Sequence, residues 1–175
     1  MLREEALTRI RKAYGYDYDL DKEEMESRAS TELPVVMTAA FHSSNAKYVL
    51  SQKAVLWEAG CHEYMYVFDI PHLTKEQVTE CTKYAYEEGM KLIHPQKGHM
   101  CSYISALFIC DTCDKAAKKE LQKCRYYKSF HFSLYGWMDF HAAAVVMGEE
   151  HTITNRSGRC MEKIMKNILF KRKRK

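Results

Sequence analysis

Proline is scarce in this 175-residue chain: Pro34, Pro71 and Pro95 are the only three, and none follows residue 95. Also missing are an apolar run long enough to span a bilayer, an internal repeat and a low-complexity linker. These absences point away from membrane-spanning and multi-domain architectures, so no membrane partner is expected. A strong charge excess is absent as well. The net charge is +4, and Lys171, Arg172, Lys173, Arg174 and Lys175 account for more than all of it (4 − 5 = −1 without them). Bulk charge therefore gives no support to a general nucleic-acid-binding surface.

What is present describes a folded protein. Apolar residues make up 46% and aromatic residues 12%, enough for a packed core in one domain. The start, Met1-Leu2-Arg3-Glu4-Glu5, is charged where a secretory signal would be apolar. The seven cysteines are odd in number and irregularly spaced. Together these features predict a cytoplasmic protein whose cysteines are free thiols.

Residues 1–33 read as a helical arm, with an apolar stripe at Leu2, Ala6, Leu7, Ile10 and Tyr14 and a second short helix over 21–28. Three strands follow at 35–42, 46–57 and 62–70, with turns at Ser43-Ser44-Asn45 and Ala59-Gly60. Thr74 to Gln77 is a capping-box pattern opening a helix over 75–93. The run 102–110 reads as a central strand covered on both faces, followed by a helix from Asp111 or Thr112 to about Cys124. A last helix carries Met161, Ile164, Met165, Ile168 and Leu169, capped by Asn155 or Ser157. The expectation is a single α+β domain, with a core over 34–170 and a basic tail over 171–175. Its mixed sheet should have about five to seven strands, an antiparallel meander joined to a central strand and a C-terminal hairpin.

The segment 128–141, KSFHFSLYGWMDFH, alternates apolar and polar residues. Phe130, Phe132, Leu134, Met138 and Phe140 fall on one face, and His131, Ser133, Tyr135, Trp137, Asp139 and His141 on the other. A hairpin with loop Tyr135-Gly136-Trp137 would pair Ser133 with Asp139 and His131 with His141. His131, Asp139 and His141 then form a candidate divalent-metal set of two histidines and one carboxylate. Without a metal, the same face is a candidate ligand-binding surface built on Ser133 and Tyr135.

Three further patterns carry chemistry. Cys110-Asp111-Thr112-Cys113 is a CxxC at a strand-to-helix junction, the place of a redox motif. Its flanking aspartates oppose thiolate formation, and no later proline can serve as the cis-proline of a thioredoxin-like site. The same pair could bind zinc with Cys101, His99 or Cys124, but a single CxxC lacks a second ligand pair. Finally, Arg156, Ser157 and Arg159 precede the last helix in a setting suited to phosphate. With the basic tail they form a candidate surface for an anionic ligand or nucleic acid.

The stretches HMCSYISALFICDTCD, FSLYGWMDFH and NRSGRCMEKIMKNIL resemble an uncharacterised family of bacterial proteins typical of anaerobic Firmicutes. That resemblance implies a cytoplasmic bacterial protein and no particular activity. The order of elements also resembles restriction-endonuclease-like folds. The Glu-x-Lys those nucleases require is missing, because Glu58 is followed by Ala-Gly and Glu63 by Tyr-Met. The functional expectation is thus a ligand- or partner-binding domain. A metal-dependent hydrolase on the His131–His141 face and a phosphate or nucleic-acid binder are the alternatives.

Overall fold

A computed structural model describes residues 1–21, 33–48 and 55–171. Apart from Asp21, the expected helix over 21–28 falls outside them, as does the end of the basic tail. A mixed sheet of seven strands forms the middle layer of an α+β domain. In chain order its strands are β1 (Asp19–Leu20), β2 (Val35–Tyr48), β3 (Val55–Asp69), β5 (His99–Cys110), β7 (Tyr127–Ser129), β8 (Trp137–Val146) and β9 (His151–Thr154). Two short strands, β4 (His72–Leu73) and β6 (Thr112–Cys113), pair with each other outside it.

Among the described residues the α-helices are α1 (Arg3–Tyr14), α2 (Lys75–Leu92), α3 (Lys115–Lys123) and α4 (Arg159–Met165), the last continued by a π-helical turn over Lys166–Phe170. The sheet order is β1-β2-β3-β5-β8-β7, with β9 beside β7 on the same edge of β8. β3, β5 and β8 run parallel, and α2 and α3 make the two crossovers between them. Parallel neighbours need such crossovers, which is why helices stand between these strands in the sequence.

Alternation along the central strands divides the core in two. Tyr64, Tyr66, Phe68, Ile104, Ala106, Phe108, Phe140 and Ala144 pack beneath α2 and α3. Met65, Val67, Leu107, Ile109, Ala143 and Val145 pack with Ala6 and Ile10 of α1 and Met161 and Met165 of α4. β5, with β3 on one side and β8 on the other, is buried on both faces along most of its length, as its nearly unbroken apolar run predicts.

Local signals hold the helices in place. Thr74 caps α2 by accepting from the Gln77 amide, while the Gln77 side chain accepts from the Thr74 amide at 3.0 Å. Arg3 ties the start of α1 to the ends of β3 and β5, reaching Asp69 at 2.7 Å and Asp111 at 3.0 Å. Gly89 lets α2 approach the sheet. A Cβ there would lie 2.8–2.9 Å from three side-chain atoms of Ile104, which is fully buried.

Gly89→Ala is therefore expected to destabilise the fold by about 1–2 kcal/mol, although alanine is the better helix former by about 1 kcal/mol. Urea unfolding checks this, and Ile104→Val in the same chain should not restore the loss, because it removes Cδ1 but keeps the Cγ1 and Cγ2 atoms that the new Cβ would meet.

Several expectations are corrected. The meander is two long strands, not three: the strand runs on through Ser43-Ser44-Asn45 and through Ala59-Gly60, both placed in turns by the sequence reading. α3 starts later than expected, at Lys115. The strand at the end of the alternating segment extends past His141, because β8 runs unbroken from Trp137 to Val146.

The alternating segment 128–141 is not one pleated unit either. β7 pairs with β8 as Tyr127↔Asp139, Lys128↔Met138 and Ser129↔Trp137, so 130–136 is a loop. His131, Phe132 and Ser133 take left-handed φ values of 47°, 53° and 66°. Each such non-glycine residue costs on the order of 1 kcal/mol. The Phe130 amide donating to the Gly136 carbonyl and the Ser129–Ser133 hydroxyl contact close the loop. The alternation breaks with it: Phe130 is buried, whereas Phe132 is 101% exposed.

Cys61 and Cys101, register partners on β3 and β5, are joined by a disulfide. The expectation that every cysteine is a free thiol fails at this pair.

Candidate functional site

Two rows of side chains cross the three parallel strands on the α1/α4 side. The first is Glu63, Tyr103 and Asp139; the next, two residues further along each strand, is Met65, Ser105 and His141. Adjacent strands lie about 4.8 Å apart, so Glu63 and Asp139 sit roughly 10 Å apart at the backbone with Tyr103 between them. α1 and the turn after it bring Tyr14 and Tyr18 over this floor. The loop before α4 and the first turns of α4 bring Ser157, Cys160 and Ile164. These residues enclose a cavity of about 470 Å³.

Glu63 is held from two sides. Tyr18 donates its phenol to Oε2 at 2.6 Å, and Ser105 donates its hydroxyl to Oε1 at 2.7 Å. Asp139 accepts the Phe140 amide on Oδ1 at 2.8 Å, leaving Oδ2 for the cavity. The His141 ring stacks on Tyr103 with centroids 4.8 Å apart. His141 is only 8% exposed, lines the cavity and has no hydrogen-bond partner for either ring nitrogen among the described residues. Its ring nitrogens are open to the cavity, where a ligand or water can complete their bonding.

The electrostatics of the cavity are anionic. No lysine or arginine is among the described residues lining it. Burial pushes the His141 imidazole below its ordinary value, outweighing the upward pull of Glu63 and Asp139, so the ring is neutral at neutral pH. Burial, reinforced by Glu63, raises the phenols of Tyr14 and Tyr18. Burial and then Asp139 do the same for Tyr103. All three therefore stay neutral.

The shift at His141 sets a pH dependence. An unfolded chain takes up this proton near the ordinary value of 6.5, before the folded protein does, so stability falls as the pH drops through that value. His62 is depressed by burial, by His42 and by His99, and acts in the same sense. The urea midpoint of the wild type should fall between pH 7.5 and 5.5. His141→Gln should show a smaller fall.

Of the residues the sequence pointed to, Asp139, His141 and Ser157 line this cavity. His131 does not join them as the expected hairpin would have arranged. It lies exposed in the 130–136 loop, edge-on to Tyr135 at 4.7 Å. Ser133 is exposed in the same loop and Tyr135 is half-buried. Among the described residues, no group of three or more histidines, cysteines, aspartates and glutamates could hold a metal ion.

Cys110 is fully buried at the end of β5, and burial, with Cys113 and Asp111 nearby, pushes its thiol up to about 12. Burial raises Cys113 as well. Neither thiol gains the thiolate character that redox chemistry needs. Cys101, one of the zinc ligands considered, is taken by the disulfide.

Arg156 and Arg159 are exposed at the surface. Asn155, considered as a helix cap, instead turns inward and latches the loop to β8. Its Oδ1 accepts from the amides of Ala142 and Gly158, and its Nδ2 donates to the carbonyls of Cys124 and Phe140.

Glu63, Tyr18, Tyr103 and Ser105 were missed from sequence. The available signal was a polar residue inside an otherwise apolar strand: Glu63 before Tyr-Met-Tyr-Val-Phe, and Ser105 within SYISALFIC.

Among the described residues, no helix is long and apolar enough to cross a membrane. No curated protein and no solved structure matches the chain. Residues 3–167 match the family model described as Domain of unknown function (DUF8052), and the chain belongs to that family.

Proposed function

We propose that the protein is a ligand-binding domain whose α1/α4-side cavity takes a small organic cation, such as an amine or a quaternary ammonium group. The observation that carries this reading is the row Glu63–Tyr103–Asp139. Two carboxylates flank an aromatic face that is extended by the stacked His141. Carboxylates attract a cation by charge, and an aromatic face adds about 0.5–2 kcal/mol when the cation is desolvated. The cavity of about 470 Å³ suits a compact molecule. The free nitrogens of His141 and the Ser157 hydroxyl supply the polar contacts that would orient it.

Thermal unfolding at low ionic strength tests the sign of the preference. Choline, methylammonium and guanidinium at millimolar concentration should raise the melting temperature, each to its own degree. Acetate and phosphate should leave it unchanged. Stabilisation by the anions with none by the cations would reverse the reading.

A further inference from the structure

A second polar cluster lies on the opposite face of the sheet. His42 and His62 are direct register partners across the antiparallel β2–β3 pair, and their Nδ1 atoms stand 2.9 Å apart. The rings meet edge-on with centroids 5.1 Å apart. Beneath them the His62 ring stacks on His99, 5.9 Å between centroids and 5° from parallel. On the other side the ring of Tyr64 meets His42 edge-on at 5.7 Å.

His99 is fixed at both nitrogens. Nδ1 donates to the Tyr135 carbonyl at 2.6 Å, and Nε2 accepts the Ser102 hydroxyl at 2.8 Å. The carbonyl can only accept, which settles the tautomer. His42 is at the surface, so the pair opens to solvent.

We propose that His42 and His62 form a two-imidazole chelate for a divalent transition-metal ion of tetragonal preference, Cu²⁺ or Ni²⁺, with water filling the remaining positions. Imidazole nitrogens bind such ions at about 2.0–2.1 Å. Two nitrogens 2.9 Å apart then subtend an angle of roughly 90° at the metal. That is the angle between neighbouring positions of a square-planar or tetragonal site. A tetrahedral ion would need the nitrogens about 3.3 Å apart at the same bond length.

Imidazole suits copper and nickel, and copper stands highest in the affinity order for divalent first-row ions. In the chelate each ring turns so that its Nδ1 lone pair leaves the N–N line by about 45° and the two meet at one point. Whichever ring now donates its Nδ1 proton carries it on Nε2 instead, so no net proton is lost.

Titration calorimetry of untagged protein with Cu²⁺, in glycine as a weak competitor, tests the site. Electron paramagnetic resonance of the one-to-one complex reads the ligands. The expected result is one strong equivalent with nitrogen coupling, weakened at least tenfold in His42→Gln and in His62→Gln. His131→Gln, in an exposed loop on another element, should bind as the wild type does. His42 is a surface residue, so its variant decides the matter even if His62→Gln folds poorly. Absence of a strong equivalent, or one that survives the His42 substitution, would overturn the proposal.

Discussion

Asn155→Ala is expected to lower the stability of this protein by about 3–4 kcal/mol, among the largest effects of any single side-chain truncation here. Asn155 is 1% exposed and makes four side-chain hydrogen bonds, to the amides of Ala142 and Gly158 and the carbonyls of Phe140 and Cys124. Truncation leaves two donors and two acceptors without partners, and each buried orphan costs on the order of 1 kcal/mol or more. The loop cannot adjust by moving inward. A Cβ on Gly158 would already lie 3.1 Å from the Ala142 backbone, so the two chains are in close contact there.

Asn155→Asp gives the sign of the interaction. It keeps an acceptor for the two amides but turns a second oxygen toward two carbonyls, so it should be nearly as unstable at pH 7. Protonation restores one donor, and the gap to wild type should narrow toward pH 4. Urea unfolding measured at both pH values checks the pair. If Asn155→Asp instead matched the wild type at pH 7, the inward donor role of the side chain would be wrong. Because the same loop carries Ser157 into the cavity, Asn155→Ala should also weaken ligand binding.

The second large effect concerns charge. Glu63→Gln and Asp139→Asn should each weaken binding of choline about ten- to a hundredfold, equivalent to about 1.5–3 kcal/mol. That is the scale of one unit charge removed at 4–6 Å in a partly screened site. The two substitutions differ in their structural consequences. An amide in place of the Glu63 carboxylate would keep one acceptor for Tyr18 or Ser105 but not both, so Glu63→Gln should also loosen the cavity wall. The side chain of Asp139 accepts only from its neighbour's amide among the described residues, so Asp139→Asn should change affinity with little change in stability. Raising the salt should weaken binding to the wild type more than to either variant, because screening acts on the charges that remain. Equal affinities in all three proteins would rule out electrostatic recognition at this row.

Much of the fold was legible in the sequence because its signals are local. The capping box at Thr74 and the stripe after it placed α2 within a residue. The apolar run before Cys110 announced a strand buried on both faces. Legibility ended where an outcome depends on a partner strand. The alternation over 128–141 reads as a hairpin turning at 135–137, but period-two spacing in a short stretch does not say where the chain leaves the sheet. Trp137 pairs with Ser129, and everything between them turns.

The site divides in the same way. Asp139 and His141 drew attention on the alternating face, and Ser157 in the loop before the last helix. Glu63 and Tyr103 sit in strands that read as core, and Tyr18 in a turn that drew no attention. Glu63 and Tyr103 meet Asp139 only because β3, β5 and β8 lie side by side in one register, and Tyr18 joins them through its bond to Glu63. That order is set by two helical crossovers and cannot be read from any single strand.

The most direct test of the central claim watches the cavity itself. The ring carbons of His141 and Tyr103 can be followed by ¹H–¹³C NMR while choline is added to the wild-type protein at low ionic strength. The cavity reading predicts saturable shifts at these two rings. The same titration should leave His131, in the exposed loop, unmoved, and Asp139→Asn should abolish the shifts at equal choline concentration. Shifts at His131 with none at His141 and Tyr103, or no saturable shift anywhere, would contradict it.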